Sequence, residues 1–210
     1  MNKRFLIILT VLIVGFAGFF WFSKNKASDS NSSSGNSQGT PSQHVKGQGT
    51  KVTLIEYGDY ECSACAQWEP TVEQIRTKHE KDLKFQFRNF PLPQHQNAMA
   101  AHRAAEAASN QGKFWQMHDL LYSRQDGWSQ SNNPGKIFED YATELGLNVD
   151  KFKTDVASSV VNDTINADRK TGENIGVKST PTFVINDKVV EPKNAEEFYK
   201  IIEDAIKNAS

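Results

Sequence analysis

The sequence contains two cysteines, and both stand in one tetrapeptide, Cys62-Ser63-Ala64-Cys65. This placement excludes the small disulfide-stapled folds, because no bridge can tie distant elements together, and it excludes a four-cysteine zinc site. The chain must therefore be held by an apolar core. Of the 210 residues, about 160 remain once the N-terminal segments described below are set aside, enough for one domain with its own core. The 24 Lys and Arg against 25 Asp and Glu give a formal charge of −1. Electrostatic nucleic-acid binding needs a basic excess or stripe, so no nucleic-acid partner is expected.

A C-x-x-C pair by itself has three readings: half a metal site, a redox dithiol, or an accident. A metal site needs two further ligands at suitable spacing, and His79, His95, His102 and His118 form no H-x₃₋₅-H pair. The dithiol reading has a mechanism. The motif follows an apolar, β-branched run, Val52 to Tyr57, and the four residues Gly58 to Glu61, and it opens a helical pattern. Cys62 would then sit where unpaired backbone N–H groups and the helix dipole stabilise an anion. That lowers a thiol pKa and makes the sulfur both a nucleophile and a good leaving group. Cys65 lies one turn further on, where it can resolve a mixed disulfide at Cys62.

Phe5 to Phe22 carries no charge over 18 positions, about 27 Å of helix, close to the hydrocarbon thickness of a bilayer. Lys3 and Arg4 precede it and Phe19, Phe20, Trp21 and Phe22 end it, which suits a single-pass anchor over residues 1–22 with the chain's bulk outside the cytoplasm. The alternative, a cleaved signal peptide, lacks a good A-x-A site. Ser23 to Gln48 holds eight Ser, three Gly and three Asn with only two aliphatic residues, Ala27 and Val45, and reads as a flexible tether.

The folded part, residues 49–210, reads as strands over Val52–Tyr57 and Leu83–Phe90, the second alternating Leu83, Phe85 and Phe87 with polar residues. A helix from Cys62 to about His79 separates them. Helical patterns follow over Asn97–Gln111, Phe114–Arg124, Pro134–Leu145, Asp150–Ala157 and Val160–Asn174. Thr182–Ile185 and Lys188–Val190 flank a hairpin turn at Asn186-Asp187, and Asn194 caps a last helix through Lys207. The order β-α-β, helical block, β-β-α describes one α/β domain with an inserted helical subdomain. Phe114, Trp115, Met117 and Leu121 read as the core of that insertion and His102 and His118 as structural. Phe90-Pro91-Leu92-Pro93 reads equally as a strand-end turn or a groove wall. Glu139-Asp140 reads as a solvated helix face, and no D-x-D-x-D-G calcium loop is present.

Three blocks in fixed order resemble the DsbA-like branch of the thioredoxin superfamily: Glu56-Tyr57-Gly58-Asp59-Tyr60-Glu61-Cys62 with its dithiol; Gln111-Gly112-Lys113-Phe114-Trp115 with Met117-His118-Asp119; and Gly176-Val177-Lys178-Ser179-Thr180-Pro181-Thr182-Phe183. Pro70 matches the proline that kinks the family's active-site helix. The resemblance covers about residues 50–208 and implies a thioredoxin-like α/β fold with an inserted α-helical subdomain over about 95–175. It implies a cis Thr180–Pro181 bond beside the dithiol, with Thr180 offering its backbone to an extended substrate and Ser63 and Ala64 as the other substrate-binding positions. Glu56 matches a buried acid, whose raised pKa suits it to accept the proton of Cys65.

The activity implied is that of a membrane-anchored thiol–disulfide oxidase without cofactor or metal. It would introduce disulfides into exported cysteine-containing proteins and be reoxidised by a quinone-linked membrane partner. Two departures bear on direction. Ser63-Ala64 has neither the proline nor the histidine often found between such cysteines, and Glu61 puts a negative charge beside Cys62. A reductase or isomerase is therefore the first rival, and a metal- or protein-binding module the second.

Overall fold

The computed structural model describes residues 39–209. The apolar run Phe5 to Phe22 and the tether as far as residue 38 lie outside the described residues, and among those described no helix is long and apolar enough to cross a membrane. The elements run β1 (His44–Lys46), β2 (Val52–Gly58), α1 (Ser63–Lys78), β3 (Leu83–Asn89), α2 (Ala98–Ser109), α3 (Phe114–Ser123), α4 (Gln125–Trp128), α5 (Pro134–Glu144), α6 (Val149–Val156), α7 (Ser159–Asn174), β4 (Thr182–Ile185), β5 (Lys188–Val190) and α8 (Ala195–Asn208).

The five strands form one mixed sheet in the order β1-β3-β2-β4-β5. β2 and β3 are parallel, joined through α1, while β1, β4 and β5 pair antiparallel to their neighbours. Register sets Glu56 opposite Phe87 on one side and Phe183 on the other. Because side chains alternate along a strand, Val52, Leu54, Glu56 and Gly58 share one face of β2. That face is covered by Cys65, Val72 and Ile75 of α1, by Phe114, Met117 and Leu121 of α3 and by Phe198 and Ile202 of α8, all in one core. The other face carries Tyr57, Phe90, Val177 and Val184. α7 lies on it, where the Tyr57 and Thr171 hydroxyls are 3.2 Å apart. The insertion is thus not a detached unit, since Phe114, Met117 and Leu121 pack into the same core as the sheet. Asn186 and Asp187 both take positive φ, 46° and 66°, the two-residue turn that matches the twist of a hairpin.

Two segments depart from the sequence reading. The tether does not extend to Gln48, because residues 44–46 form β1 on the edge of the sheet. Composition gives no sign of this strand, because distant polar groups hold the segment. The Ser42 backbone N–H and hydroxyl bond Asp168 at 2.9 and 2.6 Å, and His44 Nε2 lies 2.7 Å from Glu106 Oε1. The short α4 is also new. It begins one residue beyond α3 and buries Trp128, whose indole N–H donates to the Leu121 carbonyl at 2.9 Å.

Candidate active site

The loop between β2 and α1 is shaped by Asp59, a wholly buried residue. Its Oδ1 accepts the Glu61 N–H at 2.8 Å, the local turn for which Asp is suited. Its Oδ2 accepts the Leu92 N–H and lies 2.8 Å from His95 Nδ1, which ties the loop to the segment after β3. Gln125 of α4 donates its amide to the carbonyls of Tyr60 and Cys62 at 2.7 and 3.1 Å. Cys62 thereby stands at the N-cap of α1 in extended backbone conformation (φ −72°, ψ 117°).

Both cysteines are free thiols. The Cys62 thiol donates to the Thr180 carbonyl at 3.3 Å. Its pKa is drawn down from 9.0 to about 5, chiefly by the hydrogen bond from Cys65. Burial opposes the shift, and the Thr180 side chain with the backbone N–H groups of Cys65 and Ala64 adds to it. Cys65 goes the other way. It is wholly buried, and burial, followed by its hydrogen bond to Cys62 and the nearby Glu56, pushes its thiol well above the usual range. The two thiol pKa values are thus displaced in opposite directions.

Thr180 and Pro181 are joined by a cis bond. Thr180 is buried against the dithiol, whereas Pro181 borders a groove of about 200 Å³ with Trp68, Ser179, Thr182, Val189 and Glu191. On the other side of Cys62, exposed Ser63 lines a polar groove of about 260 Å³ with Gln67, Tyr122, Gln125 and Asp126. Ala64 is half-buried.

Glu56 lies wholly buried and neither carboxyl oxygen has a hydrogen-bond partner. Burial, and then the Glu69 charge, raise its pKa well above 4.5. Glu69, one turn past Cys65 on α1, sits 3.1 Å from Arg76 Nη2 and 3.4 Å from His118 Nε2. Arg76 also pairs with Glu73 and lies 3.8 Å from Asp119. Among the described residues, Glu69, His118 and Asp119 bring one potential metal-ligand atom each within 4.8 Å of one another. The Arg76 guanidinium already faces both carboxylates there, and neither cysteine belongs to the group.

One expectation needs revision. Glu61 does not aim its charge at Cys62, because its carboxylate accepts the Asn97 backbone N–H at 2.6 Å, where α2 begins. His118, read as structural, is buried with its two ring nitrogens facing the Tyr60 hydroxyl at 3.1 Å and Glu69. Asp59, Gln125 and Glu69 were not singled out from sequence. The Asp59-x-Glu61 turn was the one local signal, and the partners of the other two lie on distant elements.

A family model described as thioredoxin matches residues 40–204. Among curated proteins, the Na⁺/H⁺ antiporter NhaA of Herminiimonas arsenicoxydans is 34% identical over 146 residues, covering 69% of this chain but 22% of that protein. NhaA 1 of Salinispora arenicola is 37% identical over 147 residues, with shares of 69% and 22%. The chain thus spans under a quarter of the length of these relatives. Among solved structures, oxidised BdbD of Bacillus subtilis superposes with a TM-score of 0.68 at 26% identity, covering 81% of this chain and 97% of that one. A thioredoxin-like oxidoreductase of Silicibacter pomeroyi gives 0.63 at 25% identity, with shares of 79% and 91%. α-DsbA1 of Wolbachia pipientis gives 0.70 at 20% identity, with shares of 81% and 94%, a likeness of fold.

Proposed function

The chain belongs to the thioredoxin family, in its DsbA-like branch, and from that premise we propose that it is a thiol–disulfide oxidoreductase that works as an oxidase on exported proteins. One observation carries the reading, the placement of Cys62 at the N-cap of α1 and 3.3 Å from the Thr180 carbonyl with Cys65 wholly buried one turn on, and it displaces the two thiol pKa values oppositely, Cys62 down to about 5 and Cys65 upward. A thiolate held in the reduced form stabilises that form, which makes the disulfide an electron acceptor.

The cycle starts from the Cys62–Cys65 disulfide. A substrate thiolate attacks Cys62, and Cys65 leaves with the electron pair and takes the proton held by Glu56. A second substrate thiolate attacks the substrate sulfur of the mixed disulfide and releases Cys62 as the thiolate it prefers to be. The substrate gains a disulfide, and two electrons remain on the dithiol for a quinone-linked membrane partner to remove. The Thr180 backbone beside Cys62 would align an extended substrate segment as an added strand. No dissociable cofactor enters the cycle. The charge-free run Phe5 to Phe22 would hold the domain at the outer face of the cell membrane. The antiporter name belongs to relatives of which the matched part is 22%, and no ion transport is proposed.

The reductase reading retains one supporting observation, the absence of an imidazole between the cysteines. The reduction potential separates the two. A value on the oxidising side of about −200 mV is expected, and one near thioredoxin's value of about −270 mV overturns the oxidase. Cys62→Ser should abolish exchange, and Cys65→Ser should accumulate mixed disulfides whose partners identify the substrates. Carbonate-resistant sedimentation of the full chain with membranes, and protease access to its domain from outside, test the location.

A further inference from the structure

The polar groove of about 260 Å³ that begins at Ser63 shares Ala66, Tyr122 and Ser123 with a second section, also of about 260 Å³, lined by Glu69, Pro70, Glu73 and Asp119. The two sections form one channel with helical walls. Ser63, Ala66, Gln67, Pro70 and Glu73 recur at three- and four-residue spacing and make one stripe along α1. Asp119, Tyr122 and Ser123 do the same on α3. From Ser63 to Glu73 α1 rises about 15 Å, the length of about four or five residues of extended chain. The channel is acidic. Asp126 lines it at the dithiol end and Glu69, Glu73 and Asp119 further on, and among the described residues no lysine or arginine lines it. Buried Arg76 faces the last three, one positive charge against three carboxylates, and Asp126 is exposed. Ala66 and Pro70 give the wall apolar surface. Pro70 has no N–H to offer the Ala66 carbonyl four residues back, so a helix carbonyl on this wall lacks its usual donor.

We propose that this channel binds the substrate segment on the flank of its reactive cysteine that Thr180 does not hold, and that it selects lysine or arginine there. This rests on the thiol–disulfide exchange proposed above. A substrate sulfur joined to Cys62 stands between the Thr180 carbonyl, 3.3 Å from the Cys62 sulfur, and Ser63 at the mouth of the channel. A chain leaving that sulfur over Ser63 and Gln67 meets Asp126 within about two residues and Glu73 with Asp119 at about four or five. The exposed carboxylates attract a basic side chain, whose aliphatic stem covers Ala66 and Pro70 while its charge stays at the rim. An acidic segment meets repulsion over the same length. The groove beside Pro181, with Trp68 and Val189, is left to the other flank.

The test mixes the oxidised full chain with excess short peptides that carry one cysteine and, at successive positions on either flank, a lysine or a glutamine. Loss of the protein disulfide is followed: one peptide thiolate attacks Cys62, a second attacks the peptide sulfur of the mixed disulfide, and two electrons pass to the dithiol as the peptides join. Each rate is divided by that of the same peptide with a small aromatic disulfide, which removes the effect of the lysine on the thiol itself. On one flank only, lysine should raise the normalised rate about twofold to fivefold over glutamine, the scale of an exposed ion pair. Salt at about 0.5 M should abolish the difference. Asp126→Asn should erase the preference for a lysine near the cysteine, and Glu73→Gln that for a lysine about four or five residues away. Equal rates for lysine and glutamine peptides, a preference of the same size on both flanks, or one that survives both variants overturns the proposal, the last two by assigning the attraction to charge elsewhere on the chain. Absence of exchange with every peptide overturns the oxidoreductase reading and this one with it, whereas exchange that is indifferent to lysine overturns this one alone.

Discussion

Two carboxylates of this domain are equally buried and oppositely surrounded. Asp168 of α7 accepts the Ser42 N–H and hydroxyl, the Arg88 guanidinium, and the Asn89 N–H and side-chain amide, all at 2.6 to 3.0 Å. Glu56 of β2 accepts nothing. A carboxylate fed by five donors ties chain segments together. In one without donors the pKa is pushed up, because desolvation disfavours the charge. The first ties the N-terminal strap, β3 and α7 into one structure. The second has its pKa raised by burial beside the dithiol. Burial alone does not distinguish structure from chemistry in this protein, whereas hydrogen-bond satisfaction does.

The comparison can be broken most easily at Asp168. Asp168→Ala leaves Arg88 without its buried partner and strips Ser42 and Asn89 of theirs. The loss should be about 3–5 kcal/mol in denaturant unfolding, the cost of breaking a buried pair, with the exchange rate of the folded fraction unchanged. If exchange falls with stability intact, Asp168 is not merely structural.

Glu56→Gln should do the reverse. Exchange through Cys65 should slow about tenfold to a hundredfold, at the lower end of general acid–base effects, while unfolding in denaturant shows equal or greater stability. A large loss of stability would put Glu56 in the same class as Asp168.

The pH dependence of stability sharpens the contrast further. Cys62 has a folded pKa of about 5 against an ordinary 9.0. The unfolded chain therefore binds the extra proton between those values, and the reduced protein gains stability as pH rises through that window and loses it as pH falls towards 5. Glu56, raised above 4.5 by burial, contributes stability fully below 4.5 and loses it as pH rises. Denaturation of the reduced Glu56→Gln protein should therefore show a steeper rise of stability with pH above 4.5 than the unaltered protein, and parallel curves would refute the assignment of the buried proton. The smallest effect is expected at Glu61. With its carboxylate engaged by Asn97, Glu61→Gln should move the thiolate absorbance midpoint of Cys62 by a few tenths of a unit at most, and a full unit would mean that its charge reaches the sulfur.

Much of the fold was legible because its signals are local. Leu83, Phe85 and Phe87 alternate with polar residues, Asn186-Asp187 marks a hairpin, and Asn194 caps the last helix, where its side chain accepts the Glu197 N–H at 2.9 Å. The place of the dithiol at a helix start was legible for the same reason. β1 was not, since its three residues carry no pattern and are held by pairing with β3 and by Glu106, while Ser42 just before them is held by Asp168, 126 positions away. Asp59, Gln125 and Glu69 were passed over because each acts on groups from other elements.

The sequence by itself determined that two cysteines stand one turn apart where a strand gives way to a helix, and that an acid lies on the apolar side of that strand. Those are matters of period and spacing within a few residues. Only the tertiary structure decided that the two thiol pKa values are displaced in opposite directions, and that one buried acid is starved of donors while another is saturated. Thr180 meets Cys62 across 118 positions, and Phe87 and Phe183 close over Glu56 from two other strands. Ionisation inside a protein is set by which distant dipoles and charges come within a few ångströms, and no short stretch of sequence encodes that.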